Sequence, residues 1–349
     1  MLRKLFACVL IMILTMNFTA CSSPKTTRYE AEFLVLFDTV TKIVAYTKSK
    51  EEFTKYSQLI YDGLKEYHEL YDIYNDYEGI NNIKTINDNA GIKPVKVDKK
   101  IIDLMLFAKE EYKNTNSKMN IAFGSVLKIW HDYRTEGIDD PEKAKLPPMD
   151  KLKAAKEHTD INKVIIDEAE STVFLSDPEM SLDVGAVGKG FAAEQVCQMA
   201  IKAGFTSGLI SVGGNVRAIG NKGESKKLWN IGIQNPNKED EESILKVAYL
   251  SDLSLVTSGD YERYYTVNGK NYHHIINPET LLPSDYFTAI TIICKDSGVA
   301  DALSTAVFNM PFEQGLELID SLPDAEALWI FKNGEIKTSA KFNDLIGEQ

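Results

Sequence analysis

The chain has 349 residues, with 51 Asp and Glu against 39 Lys and Arg and a formal net charge of -12 at pH 7. That balance disfavours nucleic acid and anionic membrane surfaces as partners, since both repel a protein of their own sign. The length suffices for one large domain or two lobes.

In chain order, residues 1–20 read as a processing signal to be set aside before any fold reasoning. Arg3 and Lys4 precede an apolar run over residues 5–14, too short to span a bilayer as a mature helix. Phe18-Thr19-Ala20-Cys21 resembles a bacterial lipobox, whose cysteine is lipidated after cleavage, with an ordinary secretory cut near Ala20 as the alternative. This gives residues 1–20 as signal peptide, 21–31 as lipidated Cys21 and tether, and 32–349 as the folded domain. The mature chain is then expected outside the cytoplasmic membrane, on its outer face or in the periplasm. Cleavage removes Arg3 and Lys4 and no acid, taking the charge from -12 to about -14. Of four cysteines, Cys8 leaves with the signal and Cys21 carries lipid, so Cys197 and Cys294, both in apolar runs, are expected as buried free thiols.

Residues 32–46 alternate as a strand interrupted near Phe37-Asp38-Thr39. Residues 51–72 carry Phe53, Tyr56, Ile60 and Leu64 at helical spacing. The Tyr- and Asn-rich residues 71–89 read as loop, residues 99–115 as helix, and residues 121–132 as a further helix. A surface excursion over residues 136–150 contains Pro141, Pro147 and Pro148. Strands are expected over residues 164–175, 208–220, 228–234, 244–249, 261–267 and 287–294, with Asn268-Gly269 as a hairpin turn. Helices follow a glycine run, over residues 191–203, and close the series at residues 298–309. Strands and helices mix without a regular βαβ cadence, so the fold class is α+β.

The glycine run Ser181-Leu182-Asp183-Val184-Gly185-Ala186-Val187-Gly188-Lys189-Gly190 is the densest chemical signal. Glycine lets backbone approach a ligand closely, and a helix start aims unpaired N–H groups at anions. The glycine spacing is too short for a P-loop, and Gly190 stands where a Ser or Thr would hold magnesium. By itself the run reads equally well as a tight strand-to-helix connection. Asp301 and Thr305 lie four apart on one helix face and offer the hard oxygen ligands that Mg²⁺ prefers. His273 and His274 point to opposite faces of a strand, so at most one can serve a site. Ser211-Val212-Gly213-Gly214-Asn215 ends a strand in a turn, and Thr257-Ser258-Gly259 with Arg263 adds hydroxyls and a cation. Arg263 reads equally as one half of a surface ion pair.

Together with Phe37-Asp38-Thr39, Asn87 and Asn120, these blocks, His274-Ile275-Ile276-Asn277-Pro278-Glu279-Thr280 and Ala300-Asp301-Ala302-Leu303-Ser304-Thr305 closely resemble the ApbE family. Those proteins are FAD:protein FMN transferases, often bacterial lipoproteins, and the resemblance covers roughly residues 32–335. It implies a single α+β catalytic domain, with two lobes left open. It also implies Mg²⁺-dependent transfer (Mn²⁺ as the alternative ion) of FMN from FAD to a threonine of membrane or extracellular redox proteins, with AMP released. Carried over by position, Asp301, Thr305 and the carbonyl of Ala186 are implied metal ligands. Phe37, Tyr77, Met119, Asn120, Asp183, Lys189 and Ile275 are implied FAD contacts, and His274 activates the threonine.

The chain departs from the family pattern at Asp38, where glycine is commonest, and at Asn120, which replaces an aspartate. Asn277 and Leu281 stand for the Asp and Gly of an Asp-Pro-x-Thr-Gly turn. Were an aspartate at 277 the base, activity would rest on His274 alone. FAD hydrolysis to FMN and AMP, a non-catalytic FAD-binding lipoprotein, and a solute-binding lipoprotein are the rival readings. A solute receptor has no need of the Asp301/Thr305 pair with a glycine-lysine run.

Overall fold

The structure, a computed structural model, describes residues 25–34, 36–237 and 240–347; the signal segment and Cys21 lie outside them. The chain opens with β1 (Thr27–Leu34), β2 (Val40–Thr47), α1 (Lys50–Tyr71), α2 (Ile83–Asp88), β3 (Val95–Lys96), α3 (Lys99–Asn114) and α4 (Gly124–Asp139). Then come α5 (Met149–Lys156), β4 (Val164–Asp167), β5 (Thr172–Leu175), α6 (Gly188–Lys202), β6 (Gly208–Val212), β7 (Asn215–Ile219), β8 (Trp229–Gln234) and β9 (Ile244–Leu250). The remainder is β10 (Ser254–Gly259), β11 (Tyr264–Val267), β12 (Lys270–His273), β13 (Phe287–Cys294), α7 (Ser297–Phe308), α8 (Phe312–Asp320), β14 (Glu326–Phe331), β15 (Ile336–Thr338) and β16 (Ile346–Gly347).

An eight-stranded sheet in the order β1-β2-β6-β7-β10-β13-β14-β15 is the frame. Every neighbouring pair in it is antiparallel, as the α+β reading requires. Its central strands, such as β2 and β13, are buried on both sides. Ile43 and Ala45 of β2 pack towards α1 and α6, whereas Val44 joins Trp229, Ile231 and Leu250 of a second, three-stranded sheet, β16-β9-β8. Helix α7 lies against β10 and β13 through Leu303, Val307 and Phe308. A further cluster, Val126, Trp130, Tyr265 and Leu281, joins α4 to the β11–β12 hairpin. That hairpin turns through Asn268 and Gly269, both at positive φ, as the sequence predicts. Among the described residues no helix is long and apolar enough to cross a membrane.

The structure corrects several element bounds. Strand β1 begins at Thr27, so the sheet takes in residues assigned to the tether. Residues 71–89 are not all loop: α2 forms there on a capping box, in which Asn82 and Thr85 satisfy each other's backbone N–H groups. Helix α4 runs on to Asp139, into the expected excursion, and α5 follows it. Helix α6 starts at Gly188 rather than after the glycine run. Strand β10, polar by composition, becomes a strand because β7 and β13 flank it. Cys197 and Cys294 are buried free thiols, as expected.

Two departures from the family pattern fall at left-handed backbone. Asp38 has φ 51° and Leu281 φ 63°, the conformation that favours glycine. Asp tolerates it, whereas for leucine it costs roughly 1–2 kcal/mol. Leu281 recovers this by burying its side chain beside Trp130, whose Nε1 donates to the Leu281 carbonyl at 2.9 Å. Emptying such a site costs about 2–5 kcal/mol, more than the strain relieved. Leu281→Gly should therefore destabilise the fold by about 1–3 kcal/mol, and Asp38→Gly should change it by less than about 1 kcal/mol. Urea midpoints measure both; an L281G protein as stable as the parent would show that strain, not packing, governs this turn.

Candidate active site

The glycine run is held from behind by Asn87. Its carboxamide mimics a strand partner, donating to the Leu182 carbonyl at 3.0 Å and accepting from the Leu182 N–H at 2.7 Å. Asp183 then donates its N–H to the Ile121 carbonyl and accepts the Gly185 N–H on Oδ1 at 2.8 Å. Burial pushes the Asp183 carboxyl up, against the opposing pull of that N–H and of His131, Arg134 and Lys189.

Helix α6 opens beside α7, and a bond in its first turn joins the two. The Gly190 N–H donates to Asp301 Oδ2 at 2.8 Å. One turn earlier stands the Ala186 carbonyl, the partner that helical spacing would give this N–H; the donation to Asp301 leaves that carbonyl available. A Cβ at Gly190 would lie 2.3 Å from the Ser297 carbonyl oxygen and 2.5 Å from Asp301 Cβ, so only glycine permits the contact. Asp301 is 4% exposed, and burial raises its carboxyl above the ordinary value while Lys189, the Gly190 N–H and Asn215 oppose the rise. Thr305 follows one helical turn on, half-buried. Asp301 and Thr305 share a face of α7, and the Gly190 bond brings that face to the start of α6, so these two side chains and the Ala186 carbonyl are the candidate oxygen donors of one corner. Among the described residues no three His, Cys, Asp or Glu side chains gather as a metal site. A divalent ion here would be held by mixed oxygen donors, completed by water or phosphate, which suits Mg²⁺.

The two histidines part as their alternation predicts. His273 is buried, Nε2 donating to the Ser284 carbonyl at 2.7 Å and Nδ1 accepting the Ile275 N–H at 3.2 Å, so both ring nitrogens are satisfied. His274 faces the site. Its Nδ1 stands 3.2 Å from the Arg263 carbonyl, which can only accept, and this assigns the proton to Nδ1 and leaves Nε2 with a free lone pair. Burial, followed by Arg134, His273, Arg263 and Lys189, lowers the His274 imidazole to about 3. It is neutral at any working pH.

Other expected residues hold structural duties as well. Phe37, at φ 55°, donates its N–H to His68 Nδ1 at 3.2 Å, and Tyr77 donates its hydroxyl to Asp72 Oδ2 at 2.8 Å. The His68 ring stands edge-on to both aromatics, so Phe37 and Tyr77 share one wall. Asn120 uses its whole carboxamide, accepting from the Ala122 N–H and donating to the Thr159 carbonyl. Met119 and Ile275 are buried in the core at 1% and 7% exposure. Asn277 closes its turn by accepting the N–H groups of Glu279 and Thr280 and donates to the Asn309 carbonyl. Position 277 therefore shapes the loop, with no free group to act as a base. Among the described residues Arg263 enters no ion pair; its charge bears on His274 and Arg134.

Sequence reasoning missed Tyr74, His131 and Arg134. The Arg134 Nη2 lies 2.9 Å from His131 Nδ1, the Tyr74 ring leans on His131 at 5.2 Å, and the charges of Asp183, Arg134, Arg263 and Asp38 act on Tyr74. The three-residue spacing of His131 and Arg134 on a helix was the only signal available. A cleft of about 410 Å³ opens elsewhere, on the His273 side of the hairpin, among Tyr261, Tyr264, Tyr272 and Lys332. It contains none of the metal-corner residues, so cavity size is not the guide to this site.

The profile of the ApbE family matches residues 37–329, a span that includes the corner, the glycine run and His274. The chain belongs to the ApbE family. A Treponema pallidum protein named FAD:protein FMN transferase is 33% identical, with 76% of this chain and 74% of that protein aligned. A Klebsiella pneumoniae protein of the same name is 32% identical over 74% and 77% of the two chains. The crystal structure of the ApbE protein from Thermotoga maritima superposes with a TM-score of 0.80 at 28% identity, covering 92% of this chain and all of that one. In this ApbE-family chain the α6–α7 contact makes a direct prediction. Gly190→Ala should cost about 1–3 kcal/mol by overpacking and lower the melting temperature by several degrees. An unshifted melt would mean that α6 and α7 separate freely.

Proposed function

We propose that this chain is an FAD:protein FMN transferase, moving FMN from FAD to a threonine hydroxyl of exported or membrane redox proteins and releasing AMP. The names of its relatives support the transfer. The observation that carries it for these residues is the Gly190 N–H bond to Asp301, which brings the glycine run against the helix that carries Asp301 and Thr305. In the reaction the threonine Oγ–P bond forms at the flavin-side phosphorus while the P–O bond to the AMP phosphate breaks. The hydroxyl proton passes to His274 Nε2, directly or through water, and Nδ1–H stays fixed on the Arg263 carbonyl. Burial is the main cause of the low basicity of His274 and the neighbouring cations a lesser one, so an anionic diphosphate beside those cations would offset only the lesser part.

Asp301, Thr305 and the Ala186 carbonyl would hold Mg²⁺ or Mn²⁺. When bound, such an ion supplies charge neutralisation on the phosphate oxygens, where most catalysis of phosphoryl transfer arises. Lys189 and the N–H groups at the start of α6 serve the same end from the protein side. Phe37, Tyr77, Asp183 and the backbone around Met119, Asn120 and Ile275 are assigned to the rest of the dinucleotide. Cys21 is assigned as the lipid anchor, with residues 1–20 as its signal and the domain on the outer face of the membrane.

The test is the intact mass of a threonine-bearing FMN-binding acceptor domain incubated with the protein, FAD and Mg²⁺. One FMN is expected to be gained, and a chelator to prevent it; free FMN and AMP without a mass gain would make the enzyme a hydrolase instead. Asp301→Ala should abolish transfer in a protein that still folds, with a melt lowered by the stranded Gly190 N–H, so full transfer would sink the metal corner. His274→Ala should slow turnover about 10²–10⁴-fold while FAD binding persists. Unchanged turnover at saturating FAD would remove His274 from the chemistry.

A further inference from the structure

Asn215, which opens β7, is 2% exposed, and among the described residues its Nδ2 meets no acceptor. An amide N–H taken out of water and left unpaired is unfavourable, so the place at which it points matters. Strand alternation gives that place. Val216 and Ala218 of β7 join Trp229 and the second sheet, whereas Ile219 joins the core that holds α6. Asn215 and Arg217 share the Ile219 face. There Arg217 bonds to Glu194 of α6, and Glu194 in turn accepts the Ser297 N–H that opens α7. One turn back along α6 from Glu194 stands Gly190, and one turn on along α7 from Ser297 stands Asp301, the two ends of the Gly190–Asp301 bond. Strand β6 returns from α6 and β7 reverses again, so β7 runs with α6. Two residues back along it, about 7 Å against about 6 Å for a helical turn, lead from Arg217 to Asn215. The neighbouring strand gives the same level. Strand β10 pairs with β7 through Ser254 and Arg217, and it meets α7 through Ser254 Oγ on the Lys295 carbonyl and Ser258 Oγ on Ser304 Oγ. Val256, level with Asn215, lies between these bonds and joins the cluster of Ala300 and Leu303, on either side of Asp301.

The unpaired amide is therefore aimed at the Gly190–Asp301 crossing. Burial raises the Asp301 carboxyl, and the Asn215 amide is among the groups that oppose the rise. Asp301 Oδ2 already takes the Gly190 N–H, which leaves Oδ1 to be aimed. We infer that Asn215 is a positioning residue for Asp301: its Nδ2 donates to that carboxylate when the corner holds a divalent ion and turns the free oxygen towards the ion. Carboxylate ligands are commonly oriented by such an outer hydrogen bond, and its loss weakens metal binding about 10–100-fold. The inference rests on the reading of Asp301 as a metal ligand. It also gives the β6–β7 turn a task. Gly213 and Gly214, at φ 56° and 91°, close a two-residue reversal between Val212 and Asn215, and so fix where the amide stands.

The variants are Asn215→Leu, which keeps the branched shape without the donor, and Asn215→Ala, which fits without repacking. Mn²⁺ is titrated into each protein with neither FAD nor acceptor present, the free ion being followed by its electron paramagnetic resonance signal. Thermal melts are recorded with and without Mn²⁺. Each variant should bind Mn²⁺ at least tenfold more weakly than the wild type and lose most of the metal-induced rise in melting temperature. The metal-free melt of Asn215→Leu should not fall, because the amide it replaces is unpaired. A lowered metal-free melt with Mn²⁺ affinity intact would overturn the inference in favour of a structural role. Intact Mn²⁺ affinity with FAD affinity lost, measured with chelator present, would overturn it in favour of a direct contact with phosphate. A wild type that binds no Mn²⁺, or whose binding survives Asp301→Ala, would refute the corner and the inference together. Mn²⁺ binding that depends on Asn215 in a protein that transfers no FMN would leave the inference standing and refute the transferase reading.

Discussion

The site depends on one backbone-to-carboxylate bond, Gly190 N–H to Asp301 Oδ2, where two helices cross at the distance only a glycine allows. The bond does two things at once. It fixes one oxygen of a buried carboxylate, and it takes the N–H that would have occupied the Ala186 carbonyl. One helical hydrogen bond is exchanged for a fixed carboxylate oxygen and a carbonyl without its helical partner, on two elements distant in sequence. Beneath it lies a second tie. Glu194 of α6 accepts from Arg217 Nε at 3.1 Å and from the Ser297 N–H that opens α7, while Arg217 also donates to the Ala218 carbonyl. A buried ion pair adds little net stability, but its directional bonds fix the register of α6, α7 and β7. The corner is therefore preorganised by the fold rather than assembled by its ligand.

Electrostatics divides the molecule into two regimes. Most of the ion pairs are exposed, such as Lys99–Asp103 and Lys128–Asp132, worth little each. Among the described residues Lys189, Arg134 and Arg263 enter no ion pair, and the charges of all three act on His274.

Much of this was legible in the chain itself, because glycines, prolines and apolar periodicity are local signals. The 22-residue α1 and its buried stripe, the Asn268-Gly269 hairpin and the α+β mixture follow from neighbours in sequence. What escaped was decided by distant partners. Strand β10 is a strand because of β7 and β13, and α2 exists because a capping box closes six residues. The Asp301/Thr305 face could be read from spacing alone, but not that Gly190 would approach it. Asn87 and Asn277 drew notice as parts of a pattern; only the structure gives them their work, one substituting for a strand and one closing a turn. Arg134 gave no warning, since a lone arginine on a helix is ordinarily a solvated one.

The early start of β1 has a mechanical meaning. With the sheet beginning at Thr27, the link from Cys21 is six residues, at most about 20 Å even when fully drawn out. On the proposal that Cys21 is the anchor, the domain would be moored rather than roaming, its working radius little more than its own width. The proposed acceptors would then have to present their threonine close to the bilayer, so geometry would select substrates before chemistry begins.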